Sequence, residues 1–216
     1  MTACFSPKKM SILVVMFLAQ SLLAQKNTII PIETQHNAIA LQVGEDLRVS
    51  TVYFGTRLKD TAEYKFVHPM YRRGEDYSGI LNAAYTPAGS RNLVEPAIEV
   101  THANGNTSLD LQYVSHTIEK TDDNVSVTSI LLKDPAYALE VSLFFKTFFK
   151  EDVVEQWSII RNKEKGTVTL QKYASANLYL TANDYWLKQF HGDWAKEMQP
   201  EDVLKLTPQP VYIQYQ

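Results

Sequence analysis

Alternation of apolar and polar residues at a period of two constrains this chain more than any other feature. Ile98 and Val100 alternate with Glu99 and Thr101, and Leu109, Leu111 and Tyr113 with Asp110 and Gln112. Val125 and Val127 stand against Ser126 and Thr128; Leu139, Val141, Leu143 and Phe145 stand against Glu140, Ser142 and Lys146. Trp157 and Ile159, then Val168 and Leu170, continue the pattern. Successive side chains of a strand point to opposite faces, so each run describes a strand with one face set against a core. A helix needs apolar residues three and four apart, and that spacing is nearly absent.

Turn residues punctuate the runs at Asp122-Asp123-Asn124, Asp134-Pro135, Glu151-Asp152 and 162–166. Asn104-Gly105 is a hairpin signal, because both residues tolerate the positive φ of a type I′ turn. The spacing between turns is longer than in an immunoglobulin-like domain, so the strands are long and the sheets large. The prediction is an all-β chain: a large antiparallel sandwich, mostly meander, with few or no helices. Two stretches break the alternation. Tyr64 to Asn92 holds Pro69, Gly74, Gly79, Pro87 and Gly89 and reads as a long excursion, a kind of loop that is often functional. Thr181 to Gln199 is polar and aromatic, and includes His191-Gly192-Asp193-Trp194.

The first 24 residues have the three parts of a secretory signal peptide. Lys8 and Lys9 form the basic region, Met10 to Leu18 is apolar apart from Ser11, and smaller residues lead to Ala24. The apolar run is shorter than the roughly 20 residues that span a bilayer. The expected organisation is a signal peptide at 1–24, a sandwich domain at 25–199 and a C-terminal segment at 200–216. Export to the periplasm or the extracellular space follows, with no membrane attachment after cleavage. The single cysteine, Cys4, falls in the leader, which leaves the rest without disulfides or a thiol nucleophile. With a net charge of −3 and no basic stripe, the chain is not expected to bind nucleic acid.

The chemistry-bearing residues are dispersed. His36, His68, His102, His116 and His191 show no metal-ligand spacing, so neither a metal site nor a cofactor is expected. His102 and His116 read as surface or edge histidines where strands begin or end. No nucleophile elbow, phosphate loop or dinucleotide fingerprint occurs. The densest aromatic and acidic cluster runs from Asp184 to Glu197, with Tyr185, Trp186, Phe190 and Trp194 beside Asp184, Asp193 and Glu197. Aromatics packed under a loop would account for it. So would a sugar-facing edge, where an indole stacks on a ring and a carboxylate accepts hydroxyl bonds.

At these residues the chain resembles the N-terminal domain of glycoside hydrolase family 36, the microbial α-galactosidases. Tyr53-Phe54-Gly55, Gly89 with Glu95-Pro96-Ala97, Asn104-Gly105, Asp110-Leu111-Gln112-Tyr113, His116-x-Ile118 and Gly192-x-Trp194-x-x-Glu197 occur in family order. The resemblance extends over nearly all of residues 28–199. It implies a β-supersandwich preceding a (β/α)8 barrel, in a bacterial exported enzyme that hydrolyses terminal α-galactosides with retention through two carboxylates. Both catalytic aspartates belong to the barrel, so no residue here inherits a catalytic role and the chain alone is expected to be inactive. His191, Asp193 and Trp194 would lie on the pocket rim, reaching the galactoside only with the missing barrel, and the full-length enzyme could form homo-oligomers. Asn92, Leu93 and Val94 stand where the family usually has Asp-Phe-Arg, and Lys196 where arginine is usual. Two alternatives stay open: a free-standing carbohydrate-binding module, and a structural or interaction domain without a ligand.

Overall fold

The computed structural model describes residues 28–67, 82–89, 95–178, 180, 185–187, 190–200 and 204–206. The expected leader lies outside them. Strands dominate what is described, and the antiparallel β-sandwich foreseen from the alternation is present.

Two meanders form the layers. The first comprises β1 (Thr28–Glu33), β2 (Asn37–Val43) and β3 (Val49–Thr56), paired in that order. The second comprises β5 (Gln112–Lys120), β6 (Val125–Lys133), β7 (Leu139–Phe148) and β8 (Val153–Asn162), again in sequence order. Between them in the chain, β4 (Ile98–Thr101) pairs with β9 (Thr169–Tyr173) as a separate two-stranded sheet. Thr61–Phe66 is a 3-10 helix, capped by the Asp60 side chain accepting from the Ala62 N–H. No helix among the described residues is long and apolar enough to cross a membrane.

The core lies between the meanders. Leu139, Val141, Leu143 and Phe145 of β7 are buried at alternate positions, beside Ile130 and Leu132 of β6. Ile30, Ile32, Leu41 and Val43 meet them from the first meander, and Ile98, Val100, Leu109 and Leu111 complete the same cluster. The other face of the first meander is closed by Tyr64 of the 3-10 helix, packed on Ala38, Ala40 and Val52. Burial pushes the Tyr64 phenol up to about 12, against a lowering bond from the Leu58 N–H; its own hydroxyl donates to Glu33.

Register sets which face of β6 turns inward. Thr128 pairs with Phe145 and Ile130 with Leu143, so Val125 and Val127 fall on the outer face. There they join Leu131, Phe144, Trp157 and Ile159, with the Phe144 and Trp157 rings stacked at 5.1 Å. The Asn104-Gly105 hairpin also resolves differently. Gly105 alone has positive φ (85°), and β4 pairs with β9 instead of the strand that follows the turn. Leu109 and Leu111 are drawn into the core, which carries the chain across to the second meander before β5 begins.

Turns lock the layers at both ends. At one end the Tyr113 N–H donates to the Leu47 carbonyl (2.6 Å), and Arg48 donates twice to Asp110 Oδ1. At the other, the Gln35 N–H donates to the Phe149 carbonyl, and Asp152 accepts from the Thr34 hydroxyl and the His36 N–H. Asp152 Oδ2 also lies 2.6 Å from the His36 ring, on a backbone with φ of 55° that aspartate tolerates better than most residues.

Two outcomes follow. Leu143→Ala, at a fully buried position, lowers unfolding free energy by about 2–5 kcal/mol in a urea titration. The His36 ring bond, followed by its backbone bond, holds the Asp152 carboxyl down to about 2. A carboxylate depressed on folding stabilises above its ordinary value near 4, and that contribution fades as pH falls toward 2. Unfolding midpoints measured across this window fall with acid in the parent chain, and fall less in Asp152→Asn.

Candidate functional site

The second half of the segment singled out for its aromatics forms a hairpin, and Asp184 lies outside the described residues. β11 (Phe190–Asp193) and β12 (Lys196–Pro200) pair antiparallel, with Phe190 opposite Pro200, His191 opposite Gln199 and Asp193 opposite Lys196. Trp194 and Ala195 are the two loop residues. Ala195 has φ of 61°, a left-handed conformation where glycine is usual. Between the His191 and Asp193 pairs the register shifts, so that Gly192 faces both Glu197 and Met198. The extra residue is a bulge, and Met198 accommodates it with φ of 56°. Two non-glycine residues in left-handed conformations within one short hairpin cost roughly 1–2 kcal/mol each.

The hairpin turns its apolar groups outward. Trp194 is 93% exposed, Met198 70% and Phe190 47%. A Cβ built on Gly192 would meet nothing within 4 Å, and its φ does not require glycine. The glycine therefore leaves space that the chain's own packing does not use. Of the three residues expected on a pocket rim, Trp194 is at the tip, and His191 and Asp193 precede it on β11. The side chains of His191 and Asp193 lie outside the described residues. Nothing in the residue types of Ala195 and Met198 signals a positive φ, and the sequence did not single them out. Next to this hairpin in sequence, β10 (Tyr185–Leu187) and β13 (Leu204–Leu206) form a second two-stranded pair.

Of the two histidines expected at a surface or an edge, His102 is placed otherwise and His116 lies on an edge strand. His102 is a buried residue, in contrast to the surface or edge position its place at a strand end suggested. Its Nδ1 lies 2.7 Å from Glu164 and its ring stacks on Tyr137. His116 sits inside the edge strand β5, where burial lowers its ring's proton affinity and Nδ1 lies 2.7 Å from the Tyr113 hydroxyl. His36 makes the turn contact with Asp152, and His68 lies outside the described residues. Among the described residues, no group of three or more His, Cys, Asp or Glu is placed to hold a metal ion.

In fold, the chain is similar to a crystal structure of the α-galactosidase from Lactobacillus brevis, with a TM-score of 0.71 at 23% identity. That match covers 84% of this chain and 28% of the other. Among curated proteins it is 26% identical over 135 residues to Alpha-galactosidase 2 of Hypocrea jecorina, covering 56% of this chain and 18% of that one. It is 23% identical over 192 residues to the bifunctional alpha-galactosidase/sucrose kinase AgaSK of Mediterraneibacter gnavus, covering 78% and 20%. The architecture is thus that of a sandwich module found within much larger sugar hydrolases. The family model for the glycosyl hydrolase family 36 N-terminal domain matches residues 48–205, and the chain belongs to that family. It spans about a fifth of the length of these curated relatives.

The hairpin makes its own predictions. Trp194→Ala changes unfolding free energy by no more than about 0.5 kcal/mol, as expected of a surface position. It also removes a quencher-accessible component of tryptophan fluorescence. Ala195→Gly relieves the left-handed strain and protects the hairpin amides by about 0.5–1 kcal/mol in hydrogen exchange.

Proposed function

We propose that this chain serves as the non-catalytic N-terminal sandwich of an exported α-galactosidase that cleaves terminal α-galactosides with retention. The family match over residues 48–205 carries this reading. The catalytic carboxylates of such a reaction would come from a barrel, and this chain's part is to shape the rim of the pocket. The β11–β12 hairpin is suited to that part. An indole at 93% exposure offers a stacking face, and Gly192 leaves its backbone open to a neighbouring body. Trp194 is assigned the stacking contact, and Asp193 and His191 the hydrogen bonds to sugar hydroxyls. The basic, apolar and small-residue sections of residues 1–24 support export. Association of the full-length enzyme into homo-oligomers belongs to the same reading.

The purified chain is expected to release no product from an aryl α-galactoside; turnover at any pH would refute a purely accessory role. Joined to the barrel of a family 36 enzyme, it is expected to lose activity toward oligosaccharides on Trp194→Ala while retaining its fold. A second reading rests on the exposure of Trp194: the chain binds galactosides alone, as a carbohydrate-binding module. Calorimetry with a galactoside at about millimolar concentration separates the two. Heat that disappears in Trp194→Ala supports the module, and its absence in the parent chain excludes it.

A further inference from the structure

The outer face of the second meander is apolar where water ordinarily selects polar side chains. An antiparallel sheet packed on one side commonly alternates to polar residues on the other. Here the register lines up Val127, Leu131, Phe144, Trp157 and Ile159 on the side away from the core. None of them belongs to either buried cluster; four are half-buried, and Ile159 is 38% exposed. The hydroxyls among them are already paired. Ser129 shares a 2.8 Å hydrogen bond with Thr117, and the Ser142 hydroxyl accepts from Arg161 at 3.1 Å. Paired hydroxyls lose little on leaving water, so the face is chemically prepared for burial.

Charge bounds this face at both ends of the strands. One end row reads Glu119, Val127, Lys146 and Glu155 from β5 to β8, two acids and one base. The other reads Gln112, Lys133, Glu140 and Arg161, two bases and one acid. The two ends therefore carry opposite net charge. A second copy laid face to face is related by a two-fold axis running either along the strands or across them. An axis along the strands sets each end against itself, acid excess on acid excess. An axis across the strands, over the row of Ile130, Leu143 and Ser158, sets each end against the other. Glu155 of one copy then meets Arg161 of the other, and Lys146 meets Glu140. The same operation sets the large Phe144 against the small, buried Ser142, and Leu131 against Ser129. Aligned sheets cross at about 30°, which displaces the end rows by about one strand spacing, and the end-to-end charge match survives that displacement.

We propose that this face pairs with itself across a two-fold axis perpendicular to the strands, joining two copies of the chain through their β5–β8 sheets. The proposal rests on the homo-oligomeric association read above and gives it a surface; it is separate from the hairpin and from sugar binding. Four strands of nine or ten residues present the face. Its extent is roughly 20 by 30 Å, at the low end for a specific interface, so the dimer is reversible and depends on concentration.

Sedimentation equilibrium of the full chain from about 10 to 500 μM tests this, and a monomer–dimer equilibrium is expected in the parent. Glu155→Lys turns the acidic end basic, and Arg161→Glu turns the basic end acidic. Each alone is expected to weaken the dimer at least about tenfold. Together they restore the match with the ends exchanged, and the double variant is expected to dimerise within about threefold of the parent. Both side chains are exposed, and thermal unfolding midpoints report whether the variants keep the fold. A parent chain that is monomeric throughout overturns the proposal and leaves the face to a different body, without touching the association of a full-length enzyme. Association that neither single substitution weakens, or that the double variant does not recover, overturns this face while the association itself stands. If a variant does not fold, amide shifts of the 15N-labelled parent on dilution decide. Shifts confined to β5–β8 support the face; shifts elsewhere, or none, overturn it.

Discussion

The fold depends on one shared apolar layer between two meanders. Leu143 of β7 and Ile130 of β6 face the same cluster as Ile30 and Leu41 of the first meander. Neither sheet can bury this face by itself, so each is the other's condition for leaving water. The polar ties at the two ends act on a different scale. Partly exposed pairs such as Arg48 with Asp110 contribute about 1 kcal/mol or less, whereas each fully buried Leu or Ile contributes roughly 1.5–3 kcal/mol. The ties select register and orientation, and the core supplies the stability.

That division explains what could be read from the residues. The alternation of β7 was legible because both of its neighbours are strands and every second side chain meets the core. The start of β6 was less so: Val125 and Val127 alternate as clearly, yet Thr128 takes the inward place, because pairing with Phe145 fixes the phase. The Asn104-Gly105 signal described a turn correctly and its partners wrongly. A local hairpin there competes with burial of Leu109 and Leu111 and with the β4–β9 pairing, which joins residues some 70 positions apart.

The candidate site was legible to a different degree. An aromatic cluster at 184–197 is visible as composition, and so is a glycine two residues before Trp194. Its geometry is not, since nothing in Ala195 or Met198 announces a left-handed backbone. His102 and Glu164 are 62 positions apart and share no motif; only the convergence of three loops makes them a pair. Composition indicates which groups are available, and topology decides which of them meet.

The two-stranded pairs β10–β13 and β11–β12 each pair only within themselves among the described strands. An isolated two-stranded ribbon is marginal in water, so these segments open at a lower free energy than the meanders. The exposed residue Trp194 is thus carried on a less cooperative part of the described residues than the meanders. Any body that seats against this ribbon must first supply its ordering entropy, and the affinity observed is reduced by that amount. In the role proposed for the hairpin, recognition at the tip and local folding of the ribbon would be a single equilibrium.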